Sequence, residues 1–455
     1  MLYVQQILRK KHSMMKPNIL FIFADDWGWG DLSCHGHPYV KTPNIDRLAN
    51  EGTDIHRFTV ASGVCSPSRT AAMTGHFPAR YNIDGHFAWA SNNASRGMPD
   101  WLSPEAPFLP QMLRNAGYRT AHFGKWHLSN NMIPDSPLPE VYGYDHAWAF
   151  NCAGEQLPVH EDARKTIEFI EKAHRDGKPF YVNLWVHEPH TPFHTVPRYE
   201  RRFRHIEDEK DRIYASVLSH ADDRIGEVLA TLDRLEITKN TLVIFSSDNG
   251  PARAVGPPKL ELMYDTATGA GWGIAASRGI TGGCRGYKAA LFEGGIGVPF
   301  IARWPGRIAA GQVDQASLIS AVDLLPTFCE IAGVEISENY APDGMSMVSV
   351  LMGDPMPSRM KPLFWKAQSA WPAPEDRPDH WVSWAIVQET WKLVANGNLD
   401  HVELYRIDAD LSESTNVAES QSGTVQILLG MTKDWQNTLP EEPDGDVFST
   451  ERALV

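Results

Sequence analysis

Five short apolar runs punctuate the chain: NILFIFA (18–24), YRTAHFG (118–124), FYVNLWV (180–186), TLVIFSS (241–247) and VPFIARW (298–304). They are rich in β-branched and aromatic residues, and segments of helical period separate them. Such an alternation most constrains the fold, because buried strands joined by crossover helices form a largely parallel sheet. The expected fold class is therefore α/β. In TPNIDRLANEG, Thr42 stands as a helix cap, Pro43 as a first helical residue and Gly52 as a stop. Longer amphipathic helices are expected over 160–175 and 213–235. After Pro355 the texture changes: AIVQETWKLVANGNLDHVELYRI reads as two alternating runs around a Gly-Asn turn, and a helical stretch follows from Thr424 to Leu439. With 455 residues the chain exceeds one small core. The expected division is a catalytic domain over 16–355 and a subdomain over 356–455, with a small antiparallel sheet and a helix.

The residues immediately after each run carry the chemistry. Asp25 and Asp26 come after the first, Lys125 and His127 after the second, His187 and His190 after the third, Asp248 and Asn249 after the fourth. Ligands of open α/β sheets collect outside the carboxyl ends of the strands, so these groups are expected to meet in one cleft. Three carboxylates and an amide oxygen are hard donors that suit calcium or magnesium. Lys125, His127, His190 and Lys288 add groups for binding an oxyanion and moving protons. The segments 81–107 and 251–281 lack a clear period and read as binding loops.

A net charge of -14 argues against nucleic acid or an acidic membrane surface as a partner. No run is long enough to span a bilayer. The five cysteines are odd in number and widely spaced, which signals neither a disulfide framework nor a zinc site. The start, MLYVQQILRKKHSMMKPN, has charge without a signal-peptide apolar run. As written the chain is expected to be cytoplasmic, or periplasmic or secreted if a leader is missing.

Cys65 opens the most closely punctuated stretch, GVCSPSRTAAMTG. Ser66 as cap and Pro67 as first residue would start a helix with Cys65 just outside it, a place for an anion or an activated nucleophile. Arg69 lies one helical turn on and could face the sulfur. No histidine partner of a Cys-His hydrolase can be picked out, and a Cys-x5-Arg phosphate loop would need arginine where Ala71 stands. The other reading is an inert buried thiol.

CSPSRTAAMTG resembles the signature of the type I sulfatases. FADDWGWGDLSCHG is similar to that family's first metal segment, GYRTAHFGKWHL to its Gly-Lys-Trp-His segment and SSDNG to its second metal segment. GYKAALFEGGIGVPFIARWPG and VDLLPTFCEIAGV resemble its downstream blocks. The resemblance runs from Lys16 onward, with Met73 in place of the usual leucine and His76 in place of a frequent arginine. It implies an alkaline-phosphatase-like fold, a large mixed, mostly parallel sheet sandwiched by helices plus the small C-terminal sheet. It also implies that a formylglycine-generating maturation enzyme oxidises Cys65 to an aldehyde whose hydrate is the nucleophile. One calcium ion would be held by Asp25, Asp26, Asp248, Asn249 and the modified Cys65. Arg69 and Lys125 would hold the hydrate, and Asp248 would help deprotonate the attacking hydroxyl. Lys288 or His190 would protonate the departing alcohol, and His127 would take the proton from the remaining hydroxyl as sulfate leaves.

The substrate implied is a sulfated small molecule or saccharide. The expectation is exo-action on glycosaminoglycan or algal-polysaccharide fragments, with aryl or choline sulfates as the alternative. Trp89, Trp101, Arg96 and Arg285 are candidates to line a saccharide subsite. Related phosphate and phosphonate monoester hydrolases typically carry Asp-His where this chain has Asp248-Asn249, and an amide favours calcium over zinc or manganese. A silent binder of sulfated sugars is the reading if Cys65 stays unmodified.

Overall fold

A computed structural model describes residues 16–153, 157–254, 259–356, 359, 361–368 and 378–454. The leader reading therefore falls outside the described residues, as do 255–258 of the long loop and 357–358 beside the expected domain boundary. Among the described residues eleven strands precede residue 321: β1 Asn18–Ala24, β2 Thr53–Thr59, β3 Arg119–Lys125, β4 His146–Phe150, β5 Phe180–Trp185, β6 Thr241–Ser247, β7 Leu262–Asp265, β8 Gly269–Trp272, β9 Gly297–Val298, β10 Phe300–Arg303 and β11 Gln312–Ser320. All but the hairpin β7–β8 form one sheet in the order β11-β2-β10-β6-β1-β5-β3-β4, with β9 also on β2. Only β9 and β10 run antiparallel to their neighbours, so the sheet is mixed and mostly parallel.

The two-residue period of β1 divides the core. Ile19, Phe21 and Phe23 point to one layer and Leu20, Ile22 and Ala24 to the other. Six helices of nine residues or more lie among the described residues: α1 Pro43–Glu51, α2 Cys65–Thr74, α3 Asp162–Arg175, α4 Glu209–Arg234, α5 Leu324–Ala332 and α6 Ser422–Gln436. Side chains of α1, α3 and α4 cover the second layer, and those of α2, α5 and α6 the first. Buried on both faces, the central strands read as continuous apolar runs, which is why they stand out in the sequence.

β2, β4 and β11 do not stand out. β4 and β11 are the outermost strands, and TDIHRFT in β2 and QVDQASLIS in β11 mix charged and apolar residues because part of each faces solvent. The antiparallel hairpin expected around Gly397-Asn398 is present, within a sheet larger than expected. Four strands, β12 Leu363–Lys366, β13 Trp384–Gln388, β14 Trp391–Ala395 and β15 Val402–Arg406, form an antiparallel sheet in sequence order. The run thus holds three strands, and the tight turn between the first two falls at Glu389-Thr390.

This sheet is continuous with the first layer of the main core. Trp365 Nε1 donates to the Val60 carbonyl at 2.8 Å, against the exit of β2. Lys392, fully buried, places Nζ 2.7 Å from Glu293 Oε1 and 2.8 Å from Glu413 Oε1. Glu413 in turn accepts the backbone N–H of Glu293 at 2.6 Å.

Candidate active site

All the parallel strands of the large sheet end on the same side, and the loops leaving β1, β2, β3, β5 and β6 bring the predicted residues together there, joined by Lys288 from the segment between β8 and β9. Asp25 and Asp26 follow β1 directly, Lys125 closes β3, and Asp248 and Asn249 follow β6. Cys65 is the first residue of α2, and the cap is Val64 rather than Ser66. The Ser66 hydroxyl instead accepts the N–H of Phe87, which ties the irregular segment after residue 81 to the helix start. The approach is tight at Gly63, where a Cβ would lie 2.5 Å from the Ala290 carbonyl oxygen.

The Cys65 thiol donates to Asp25 Oδ1 at 3.6 Å and accepts from Lys125 Nζ at 3.2 Å. Lys125 also reaches Asp25 Oδ2 at 2.5 Å. Arg69 does not hold the sulfur directly; its Nε and Nη2 both donate to Asp248 Oδ2, at 2.9 and 2.6 Å, and its guanidinium lies over Trp185. Lys288 Nζ pairs with Asp26 Oδ1 at 2.6 Å, and Asn249 Nδ2 donates to the same oxygen at 2.7 Å. His190 Nε2 stands 4.0 Å from Asp26 Oδ2. Asp26, His127 and Ala289 all adopt positive φ without being glycine, a backbone cost of about 1–3 kcal/mol each that the surroundings enforce.

Burial pushes the Cys65 thiol up to about 12, with Lys125 and Lys288 opposing, so the group is a neutral thiol near neutral pH. Burial likewise pushes Asp248 up to about 6 against the pull of Arg69. At Asp25 burial is outweighed by His190 when protonated, Lys125, Arg69 and Lys288, which hold the carboxyl well below the usual range. Burial lowers His127 strongly. Its Nε2 meets the Phe87 carbonyl at 3.0 Å and so carries the proton, leaving Nδ1 a buried lone pair without a partner. His190 is lowered by burial too, and its Nδ1 meets the Thr191 carbonyl at 2.6 Å.

The donor set fits a hard divalent cation. Ligand atoms of Asp25, Asp26, Cys65 and His190 lie within 4.8 Å of one another. Asn249 Oδ1 is fully buried beside them and has no partner. Asp25, Asp26 and Asp248 carry three negative charges, and Arg69, Lys125 and Lys288 three positive ones, so an added anionic ligand leaves room for a compensating cation.

A cavity of about 530 Å³ opens above these groups, on the scale of small-molecule sites. Cys65, Asp26, His127, His190 and Lys288 line its floor. Its walls include Tyr287 and residues that no motif marks: His86, Met132, Arg253, Asp379 and His380. Of the four residues expected to line a saccharide subsite, Trp89 is there, 54% exposed. The others are corrected. Trp101 is 5% exposed and donates Nε1 to the Asp446 carbonyl. Arg96 is held by the His86 and Asn92 carbonyls and Asn93 Oδ1. Arg285 is paired with Asp379 and Glu403 over the ring of Phe292.

Known proteins resemble this chain in sequence and in fold. The family model described as Sulfatase matches residues 17–334, and one described as N-sulphoglucosamine sulphohydrolase, C-terminal, matches 286–438. N-acetylgalactosamine-6-sulfatase of Sus scrofa is 31% identical over 393 residues, covering 77% of this chain and 68% of its own. N-acetylgalactosamine-6-O-sulfatase of Bacteroides thetaiotaomicron is 26% identical, covering 91% of this chain and 92% of its own. The solved structure of Ps i-CgsB in complex with k-i-k-neocarrahexaose shares the fold with a TM-score of 0.74 at 24% identity, covering 97% of this chain and 96% of that one.

Proposed function

The chain belongs to the sulfatase family and is a sulfuric ester hydrolase, and from that premise we propose that it is an exo-acting carbohydrate sulfatase using a formylglycine made from Cys65 and one calcium ion. The observation that carries the reading is the state of Cys65. A protonated thiol between Lys125 and Asp25 is a poor nucleophile, yet both of these charged groups bond to it. Asp25, Asp26, Asp248 and Asn249 would hold the calcium. Bound there, the ion would supply positive charge for the sulfate oxygens, and a hydrated aldehyde at position 65 would supply a hydroxyl to attack sulfur and a second to be deprotonated.

The chain's own side chains do the rest. Lys125 fixes position 65 and Asp25, and Arg69 fixes Asp248, so the nucleophile is oriented before substrate arrives. His127, whose neutral ring carries its lone pair on Nδ1 and which lines the cavity, accepts the proton of the second hydroxyl. Lys288, kept charged by Asp26 against burial, is the better donor to the departing oxygen. An alkoxide is more basic than an amine, so a tightly held ammonium proton still transfers. His190 Nε2 lacks a proton in the tautomer fixed by Thr191 and orients the leaving oxygen only after taking one up. Trp89 offers an exposed ring face to a sugar, and the residues at Asp379 and His380 bring the C-terminal part of the chain into the wall.

Two measurements test this. Sulfate release, followed by ion chromatography, is expected from saccharides with a terminal 6-sulfated N-acetylgalactosamine or a related sulfated sugar; release from aryl or choline sulfates with every sugar sulfate inert overturns the substrate class. Metal content tests the ligands. Asn249→Asp should keep calcium and Asn249→Leu should lose it, and equal calcium in both removes Asn249 from the ligand set.

A further inference from the structure

A second cluster involves none of the residues that line the cavity. The turn Ser33–His35 and the start of β2 bring Cys34, His35, Asp54 and His56 together. One ligand atom from each of Cys34, His35 and Asp54 lies within 4.8 Å of the others, and His56 Nε2 is 3.5 Å from Asp54 Oδ2.

The His35 ring is decisive. Its Nδ1 lies 2.6 Å from the Trp29 carbonyl oxygen, which can only accept, so Nδ1 carries a proton. In a neutral ring Nε2 is then a lone pair, yet it faces Asp54 Oδ2 at 2.8 Å, acceptor against acceptor. Positive charge must lie between them, as a second ring proton or as a metal ion. A ring proton answers that one contact. A proton on His56 Nε2 answers its 3.5 Å contact with the same oxygen, but Asp54 Oδ1 is still without a partner in a residue only 5% exposed. A metal ion answers all three.

We propose that Cys34, His35, Asp54 and His56 form a zinc site. A thiolate, two imidazoles and a carboxylate are the borderline-soft donors that select zinc, in contrast to the oxygen donors beside Cys65. The supporting shell is present. The Trp29 carbonyl holds His35 in the tautomer that frees Nε2, as outer acceptors of zinc-bound histidines do. The Trp29 ring stacks on His35 with centroids 4.0 Å apart and meets His56 edge-on. Asp46 accepts the Cys34 N–H at 3.0 Å and the Ser33 hydroxyl at 2.6 Å, fixing the turn that presents the sulfur. On binding, Cys34 releases its thiol proton to solvent. The ion would tie the segment following Asp25 and Asp26 to β2, the strand that leads to Cys65.

Cobalt(II) is the probe, because a thiolate ligand gives it a near-ultraviolet charge-transfer absorption. The full chain is used with Cys65→Ser, which removes the active-site thiol, and is stripped with chelator beforehand. The absorption is expected to grow to one equivalent and to be bleached by zinc. Adding Cys34→Ser, at an exposed position that the fold tolerates, or Asp54→Asn should abolish it while the far-ultraviolet circular dichroism is unchanged. Zinc should raise the thermal midpoint of the Cys65→Ser protein and not of the double variants. No absorption in the Cys65→Ser protein overturns the site and leaves a proton on His35. An absorption that survives Cys34→Ser overturns it equally.

Discussion

Cys65→Ala eliminates sulfate release, by on the order of 10⁵–10⁶-fold, the scale on which loss of an activated nucleophile is felt, and it does so in a folded protein. The side chain removed is small, so the loss of stability is about 1 kcal/mol. The readouts are sulfate by ion chromatography and the unfolding transition by circular dichroism. Mass spectrometry of the wild-type peptide containing residue 65 completes the test. In a host with the maturation machinery it should show CHO in place of CH2–SH, and the turnover of a preparation should scale with that fraction. Activity retained by Cys65→Ala refutes the nucleophile, and full activity in a preparation whose Cys65 is wholly thiol refutes the aldehyde.

Lys392→Met is the substitution with the largest expected effect on stability. Lys392 is fully buried between Glu293 and Glu413, so removing its charge strands two carboxylates in the core at a cost of about 3–5 kcal/mol. The sign of the pH dependence follows from Glu413. Burial raises its carboxyl from 4.5 to about 7, with Lys392 opposing and Glu293 adding to the rise. A folded-state pKa above the unfolded value means that the stability linked to Glu413 is fully present below about 4.5 and is lost as pH climbs through 7. The destabilisation by Lys392→Met should therefore be smaller at pH 5 than at pH 8, since a protonated Glu413 needs no cation. Adding Glu293→Gln and Glu413→Gln should restore much of the loss, as apolar or neutral replacements of buried ion clusters do. A single variant within about 0.5 kcal/mol of wild type at pH 8 would show that the pairing is not what holds the C-terminal sheet to the core.

The groups around Cys65 were legible because of where they stand. Asp25, Lys125 and Asp248 each lie at the end of a buried strand, and parallel strands bring their carboxyl ends to one edge. The cavity walls were not legible, for an equally physical reason. His86 and Trp89 come from a segment without period, and Asp379 and His380 from a stretch some 300 residues further on, so no local pattern announces that they meet. Trp89 and Trp101 illustrate the limit. Both are tryptophans in the same irregular segment, and only the packing of Asp446 over the second decides that one faces the cavity and the other the interior. β2 carries no clear signal because Asp54 and His56, which break its apolar period, belong to the side cluster at Trp29 rather than to the sheet's core.

The burial of Cys65 sets an order of events. In the folded protein the residue is 2% exposed, and its neighbours come from far along the chain: Asp248 beside Arg69, and Ala289, whose N–H donates to Gly63 at 2.7 Å. A macromolecule that must grip the peptide around the sulfur cannot do so once those segments are in place. During synthesis, at about 5–20 residues per second, the stretch from Cys65 to Arg69 emerges many seconds before residue 289 exists to close over it. Any enzymatic alteration of that sulfur therefore competes with folding, and the fraction altered is a record of which process was faster.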